Sequence, residues 1–130
     1  MTVIPVTTTE HAQMVNITAE VQRAVAELGV ASGAVLVHVP HTTAAVTVNE
    51  AADPDVVRDL LRRLDQLVPW REAADRHGEG NSAAHLKSSL LGCDQLLPVQ
   101  DGQLQLGTWQ GVFFCEFDGP RQRRVWVQSV

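Results

Sequence analysis

The sequence predicts an α+β fold: one compact domain over residues 1–130, with mostly antiparallel sheet and about three helices. Three observations carry this prediction. Short runs rich in β-branched and apolar residues recur along the chain and dominate its last third. Two amphipathic helix signals and one shorter one are interspersed among them. Neighbouring strand signals are joined by turn residues, which favours hairpin-linked strands over a parallel doubly wound sheet.

Residues 3–9 read as the first strand. Thr18 is the expected N-cap of the first helix, AEVQRAVAEL, with Val21, Val25 and Leu28 as its apolar stripe and Gly29 as its stop. AVLVHV (34–39) is nearly all apolar, so both its faces are expected to be covered, and AAVTVN (44–49) resumes as a strand. Asp53-Pro54 opens the second helix, Asp as cap and Pro in the first turn. Val57, Leu60, Leu61, Leu64 and Leu67/Val68 share one of its faces, and Pro69 ends it. Residues 70–80 read as a loop. Asn81 is the expected cap of a third helix that ends at Gly92, with Leu86, Leu90 and Leu91 facing the core. LLPVQ-DG-QLQL is a hairpin whose Asp101-Gly102 pair suits a type I′ turn. VFFCEFD and RRVWVQS are two further strands around Gly119-Pro120.

A chain of 130 residues can bury a core without staples. Its formal charge of -5 argues against nucleic acid, whose phosphates need a basic patch. The two cysteines lack metal-type spacing, which suggests a reducing compartment. No signal peptide and no membrane-length apolar run is present, so a soluble cytoplasmic protein is expected.

Candidate chemistry gathers in three stretches. In HTTAAVTVNE (41–50), strand alternation puts His41, Thr43, Thr47 and Asn49 on one face, interrupted by Ala45, and Glu50 follows. In HGEGNSAAH (77–85), His77 and His85 flank two glycines and a helix start. With His41 as a third ligand they are candidates for one divalent metal, because zinc takes three protein nitrogens or oxygens plus water in catalytic sites. The competing reading is a surface-loop histidine and a helix-face histidine, since this spacing is not diagnostic of zinc. In VFFCEFD, Phe113, Cys115 and Phe117 share an apolar parity. Glu116 is expected to point the other way, towards solvent, a pocket or another subunit, as a candidate base or a solvated carboxylate. Arg121 is a candidate clamp for phosphate or carboxylate, or a partner of Asp118, and Trp109 stands in a Gly-flanked loop. His38 is expected to be a core or near-core residue, and both cysteines to be packing residues.

Taken together, HTTAAVTVNE with ADPDVVRDL, HGEGNSAAHLKSSLLG, and LGTWQGVFFCEFDGPRQRRV resemble, in that order, the secondary thiamine-phosphate synthase family, also called YjbQ-like. The resemblance runs from about residue 38 to 127. It departs at AADRH, where family members often carry an aromatic residue before the histidine, so a stacking contact is either missing there or supplied by Trp70. The resemblance implies a homotrimer with sites near subunit boundaries. It implies His41, His77 and His85 as ligands of a divalent metal, most plausibly zinc. Asn81, Glu50, Trp109, Gln110, Glu116 and Arg121 are the implied pocket residues.

Two functions follow as expectations. One is an enzyme acting on a small, phosphorylated molecule: a thiamine-phosphate synthase-like transferase, with Arg121 and Lys87 as cations for the leaving group, or a metal-assisted hydrolase using Glu116 or Glu50. No diphosphate-binding motif supports the synthase, and three histidines suit zinc better than magnesium. The other is a trimeric, non-catalytic binding module for a small anionic metabolite or a metal ion.

Overall fold

The structure, a computed structural model, describes residues 1–130. In chain order its elements are β1 (Thr2–Thr7), β2 (Gln13–Asn16), α1 (Thr18–Leu28), β3 (Ser32–His38), β4 (Ala44–Glu50), α2 (Pro54–Leu67), α3 (Ser82–Leu91), β5 (Asp94–Gln100), β6 (Gln103–Leu104), β7 (Gln110–Glu116) and β8 (Gln122–Ser129). A five-stranded sheet runs β1-β8-β3-β5-β6 and a three-stranded sheet runs β2-β7-β4. Every pairing is antiparallel. The three helices and antiparallel sheets are the α+β architecture expected, but only β5–β6 is a hairpin; β7 and β8 lie in different sheets, and every other ladder joins strands that are not adjacent in sequence. No helix is long and apolar enough to cross a membrane.

The alternation of the strands builds the larger core. Ile4 and Val6, Val35 and Val37, Leu97 and Val99, and Val125 and Val127 point inward from the five-stranded sheet. They meet Ala44, Val46, Val112 and Phe114 of the three-stranded sheet and Val21, Ala24 and Val25 of α1. The opposite face of β7 carries Phe113 and Cys115, which with Phe117, Ala45 and Ala84 form a second cluster. Val57, Leu61, Leu64 and Trp70 cover it. So β7 is buried on both faces. Burial pushes the Cys115 thiol up to about 12, which makes it a packing group.

Several local expectations change. Thr18 begins α1 rather than capping it. The helix N-terminus is served instead by Asn16, whose Oδ1 accepts from the Thr18 amide (3.0 Å) and hydroxyl (2.6 Å). Thr18 Oγ1 in turn accepts from the Val112 amide and so ties α1 to β7. The strand β2 was not expected from QMVN, because two apolar residues give no readable period; β7 supplies its ladder. Asp101 and Gly102 both adopt positive φ, as a type I′ turn requires.

The third helix is rotated from its expected orientation. Leu86 and Leu90 are exposed, and Ala83, Ala84, Lys87 and Ser88 are buried. Small side chains allow α3 to lie against β4, and Ser88 Oγ donates to Thr42 O at 2.6 Å. By contrast, α2 starts as predicted: Asp53 Oδ1 accepts from the Asp55 amide at 2.9 Å, with Pro54 in the first turn. Asp53→Ala is expected to cost about 1 kcal/mol of stability, read as a lower urea midpoint at unchanged slope.

Candidate functional site

The HTT segment between β3 and β4 is fixed from two sides. From β8, the Arg124 amide donates to His41 Nε2 (3.1 Å), and the Arg123 guanidinium donates to Thr43 Oγ1 (2.8 Å). From α3, Ser88 holds Thr42 O. A cleft of about 460 Å³ opens between this segment and α3, lined by His41, Thr42, His85, Ser88, Ser89 and Cys93 among others.

At the head of α3 the glycine loop does what its composition suggested. The Gly80 amide donates to His77 O (3.1 Å), and Gly80 sits at φ 70, a conformation glycine adopts without strain. This tight turn folds His77 back onto α3. Its ring centroid lies 5.4 Å from that of His85, with the planes at 86°. Two imidazoles bound tetrahedrally to one zinc at ~2.0–2.1 Å have centroids about 5 Å apart, a spacing this pair matches.

His41 lies across the cleft from His85, and the three histidines do not bring ligand atoms within 4.8 Å of one another in one chain. Its Nε2 already accepts a backbone hydrogen, which requires the lone pair there and places the ring proton on Nδ1. Burial, and then the nearby Arg123 charge, lower its pKa and favour that neutral form. In this geometry the Nε2 lone pair of His41 is taken and its Nδ1–H is the group it presents.

Asn81 makes no side-chain cap bond to α3, contrary to expectation. Its Nδ2 donates to Asp118 Oδ2 (2.8 Å), and Asp118 also receives the Arg121 guanidinium (3.0 Å). Asn81 Oδ1 is buried without a partner. An orphan acceptor of this kind costs about 1–3 kcal/mol.

Two expected site residues are taken up elsewhere. Glu116 does not face solvent, a pocket or another subunit; it is fully buried. Its carboxylate accepts from Arg123, from the Thr8 hydroxyl (2.8 Å) and from the Asp118 amide (3.1 Å). The expectation failed because it gave β7 a wet face, whereas the five-stranded sheet packs on the face that carries Val112, Phe114 and Glu116. Lys87 is buried too, its ammonium 3.4 Å from Asp65 of α2 and not in the cleft. Trp70 stacks edge-on against His11 at 4.2 Å and shares a hollow with His77.

Glu50, Trp109 and Gln110 form a separate group. Glu50 pairs with Gln110 at one end of the β4–β7 ladder, and Ala44 pairs with Glu116 at the other. Six strand steps separate the ends by about 20 Å, so within one chain this group does not reach His41. Trp109 is 64% exposed there.

The residue that the sequence reading overlooked is Arg123. It is buried at 8% exposure and orients the HTT segment through Thr43. The signal was available, since Arg123 is in phase with the inward-facing Val125 and Val127.

Comparison with known proteins places this geometry in a family. Residues 2–130 match the family model described as UPF0047 protein YjbQ-like. The chain is 51% identical over 127 residues to the UPF0047 protein YugU of Bacillus subtilis, covering 98% of this chain and 96% of that one. It is 46% identical over 125 residues to the UPF0047 protein MJ1081 of Methanocaldococcus jannaschii, covering 95% and 88%. Among solved structures, an uncharacterised YjbQ/UPF0047 protein of Clostridium acetobutylicum superposes with TM-score 0.97 at 47% identity, covering 100% of both chains. The hypothetical protein TT1486 of Thermus thermophilus superposes at 0.93 with 49% identity, again covering 100% of both chains.

Proposed function

The chain belongs to the YjbQ-like UPF0047 family, and from that premise we propose that it is a metal-dependent enzyme acting on a small phosphorylated molecule. The observation that carries the reading is the crossed pair His77–His85 beside the cleft that His85 shares with His41. His77 and His85 hold the metal. An all-imidazole donor set suits zinc over magnesium, whose ligands are oxygens. Bound there, a divalent metal supplies Lewis acidity towards a phosphoryl oxygen.

This chain's own groups do the rest. His41 donates its Nδ1–H to the anion. Arg121, exposed at the head of α3, exchanges part of its bonding to Asp118 for phosphate. Asn81 holds Asp118 through its Nδ2 and so positions Arg121. Glu50, Trp109 and Gln110 belong to the same site when a neighbouring copy delivers them, which is the homotrimer reading. Their separation from His41 within one chain and the exposure of Trp109 support it. The finer reading, a transferase of the thiamine-phosphate synthase type, rests on the resemblance of the three motifs.

One observation favours a second reading, a binding module for a small anionic metabolite. With Glu116 committed to Arg123, Glu50 is the one remaining carboxylate proposed for acid–base chemistry. Elemental analysis tests the metal first. The tag-free protein is expected to hold near-stoichiometric zinc, lost in both His77→Ala and His85→Ala. An absence of metal in the wild type after zinc is supplied and excess removed would overturn the assignment.

A further inference from the structure

A different trio of donors lies where β3 ends and β5 begins. His38 and Asp94 are direct partners in the β3–β5 ladder, so their side chains rise from the same face of the five-stranded sheet. Cys93 precedes Asp94 and would point to the other face if the strand continued. The chain instead leaves α3 through Gly92 at φ 93, and Cys93 O accepts from the Val39 amide at 2.7 Å. In this position one ligand atom of each of His38, Cys93 and Asp94 lies within 4.8 Å of the others. No other group of three or more such side chains does so.

Two further facts separate this trio from ordinary surface polarity. None of the three side chains is engaged in a hydrogen bond or ion pair within the chain. And the His38 ring rests against Trp126, centroids 5.6 Å apart at 35°, which limits its rotation. Cys93 and Asp94 are exposed and His38 half-buried, so an ion can enter without disturbing the core.

We infer that His38, Cys93 and Asp94 form a second metal site for a thiophilic divalent ion, of the zinc class. The donor set decides the class. One imidazole nitrogen, one thiolate and one carboxylate suit zinc, whereas calcium and magnesium take oxygens. Tetrahedral zinc with these ligands spaces them about 3.3–3.8 Å apart, so rotamer changes at two exposed side chains close the site. The fourth position faces outward and is left for water or a ligand atom. Cys93 also lines the cleft that holds His41 and His85, so this ion sits at the margin of that cleft.

Cobalt(II) separates this site from the histidine pair, because only a thiolate ligand produces a sulfur-to-cobalt charge-transfer band in the near ultraviolet. Titrating the full chain with cobalt(II) under reducing, anaerobic conditions is expected to give that band. Cys93→Ser should abolish it. His38→Ala and Asp94→Asn should each weaken the apparent affinity by about tenfold or more. A His77→Ala/His85→Ala double variant should keep the band, so failure of the function proposed above leaves this inference standing. Absence of the band in the wild type would overturn it. So would a band that survives Cys93→Ser, or one whose affinity is unchanged in both His38→Ala and Asp94→Asn, since that describes a lone thiol. Cys93 is exposed, so its serine variant keeps the packed core, and an unchanged far-ultraviolet dichroism spectrum confirms this.

Discussion

Replacing Glu116 by Gln is expected to lower folding stability by about 3–5 kcal/mol, because it leaves the Arg123 guanidinium buried without its counter-charge. Both side chains lie at or below 5% exposure and are joined by two charge-assisted bonds. Gln is isosteric, so the loss is electrostatic and opens no cavity. Replacing both residues together with apolar ones of similar volume should recover much of the loss, since the pair's desolvation then disappears with it. Urea denaturation of wild type, Glu116→Gln and a double variant such as Glu116→Leu/Arg123→Met measures this directly. Equal stability of wild type and Glu116→Gln would show that the pair contributes nothing.

The same pair predicts a pH dependence. Burial by itself would raise the Glu116 pKa. Hydrogen bonds from Arg123, Thr8 and the Asp118 amide, with the Arg123 charge, outweigh it and hold the carboxyl below its ordinary value. A carboxyl depressed in the folded state binds its proton more tightly in the unfolded chain. Its contribution is therefore full above the unfolded value of about 4.3 and is lost as pH falls through the folded one. The gap between wild type and Glu116→Gln should narrow with acidification below about pH 4 and stay constant near neutrality.

Gly119→Ala carries the second large effect. A Cβ at this position would stand 2.2 Å from Glu10 O, 2.8 Å from Glu116 Cγ and 3.0 Å from Thr8 Oγ1. The first of these is backbone, held in place because the Gly119 amide donates to His11 O at 3.0 Å. The neighbour cannot swing aside, and relief would pull Thr8 and Glu116 out of their network. Overpacking costs typically about 1–3 kcal/mol, and contact with backbone puts this variant at about 3 kcal/mol or above. Gly78→Ala is the control: a Cβ there meets nothing within 4 Å, and its midpoint should move by less than about 0.5 kcal/mol equivalent. Similar shifts in the two variants would refute the steric argument.

Elements with strong local signals were legible in the sequence. Asp53-Pro54 marked the start of α2, and Asp101-Gly102 marked the hairpin, because each depends on chemistry within a few residues. What the sequence concealed was set by long-range packing. Alternation on β7 predicts one dry face and an outward Glu116; the five-stranded sheet on one side and α2 and α3 on the other make both faces dry. Leu86 and Leu90 were read as core because leucine usually is, while the close approach of α3 to β4 selects alanine and serine for that face. In the candidate site, the meeting of His77 with His85 was readable from the glycine turn. The hydrogen bond that occupies His41 Nε2 was not, because its donor is a backbone amide 83 residues away.

The pairing of β1 with β8 sets Thr2 opposite Val127, so the first and last strands of the fold are neighbours. Closing so long a loop adds little to the equilibrium cost, since each doubling of length adds only about 0.6 kcal/mol. The search for it is slow, however, because folding rate falls as contacts become more distant in sequence. The β1–β8 ladder is thus expected to form late, and φ-values near zero for Val3 and Val6 would be its signature. Until it forms, one edge of β8 stands open to strands of other chains, so the interval between emergence of the core and docking of β1 is when this sequence is most exposed to aggregation.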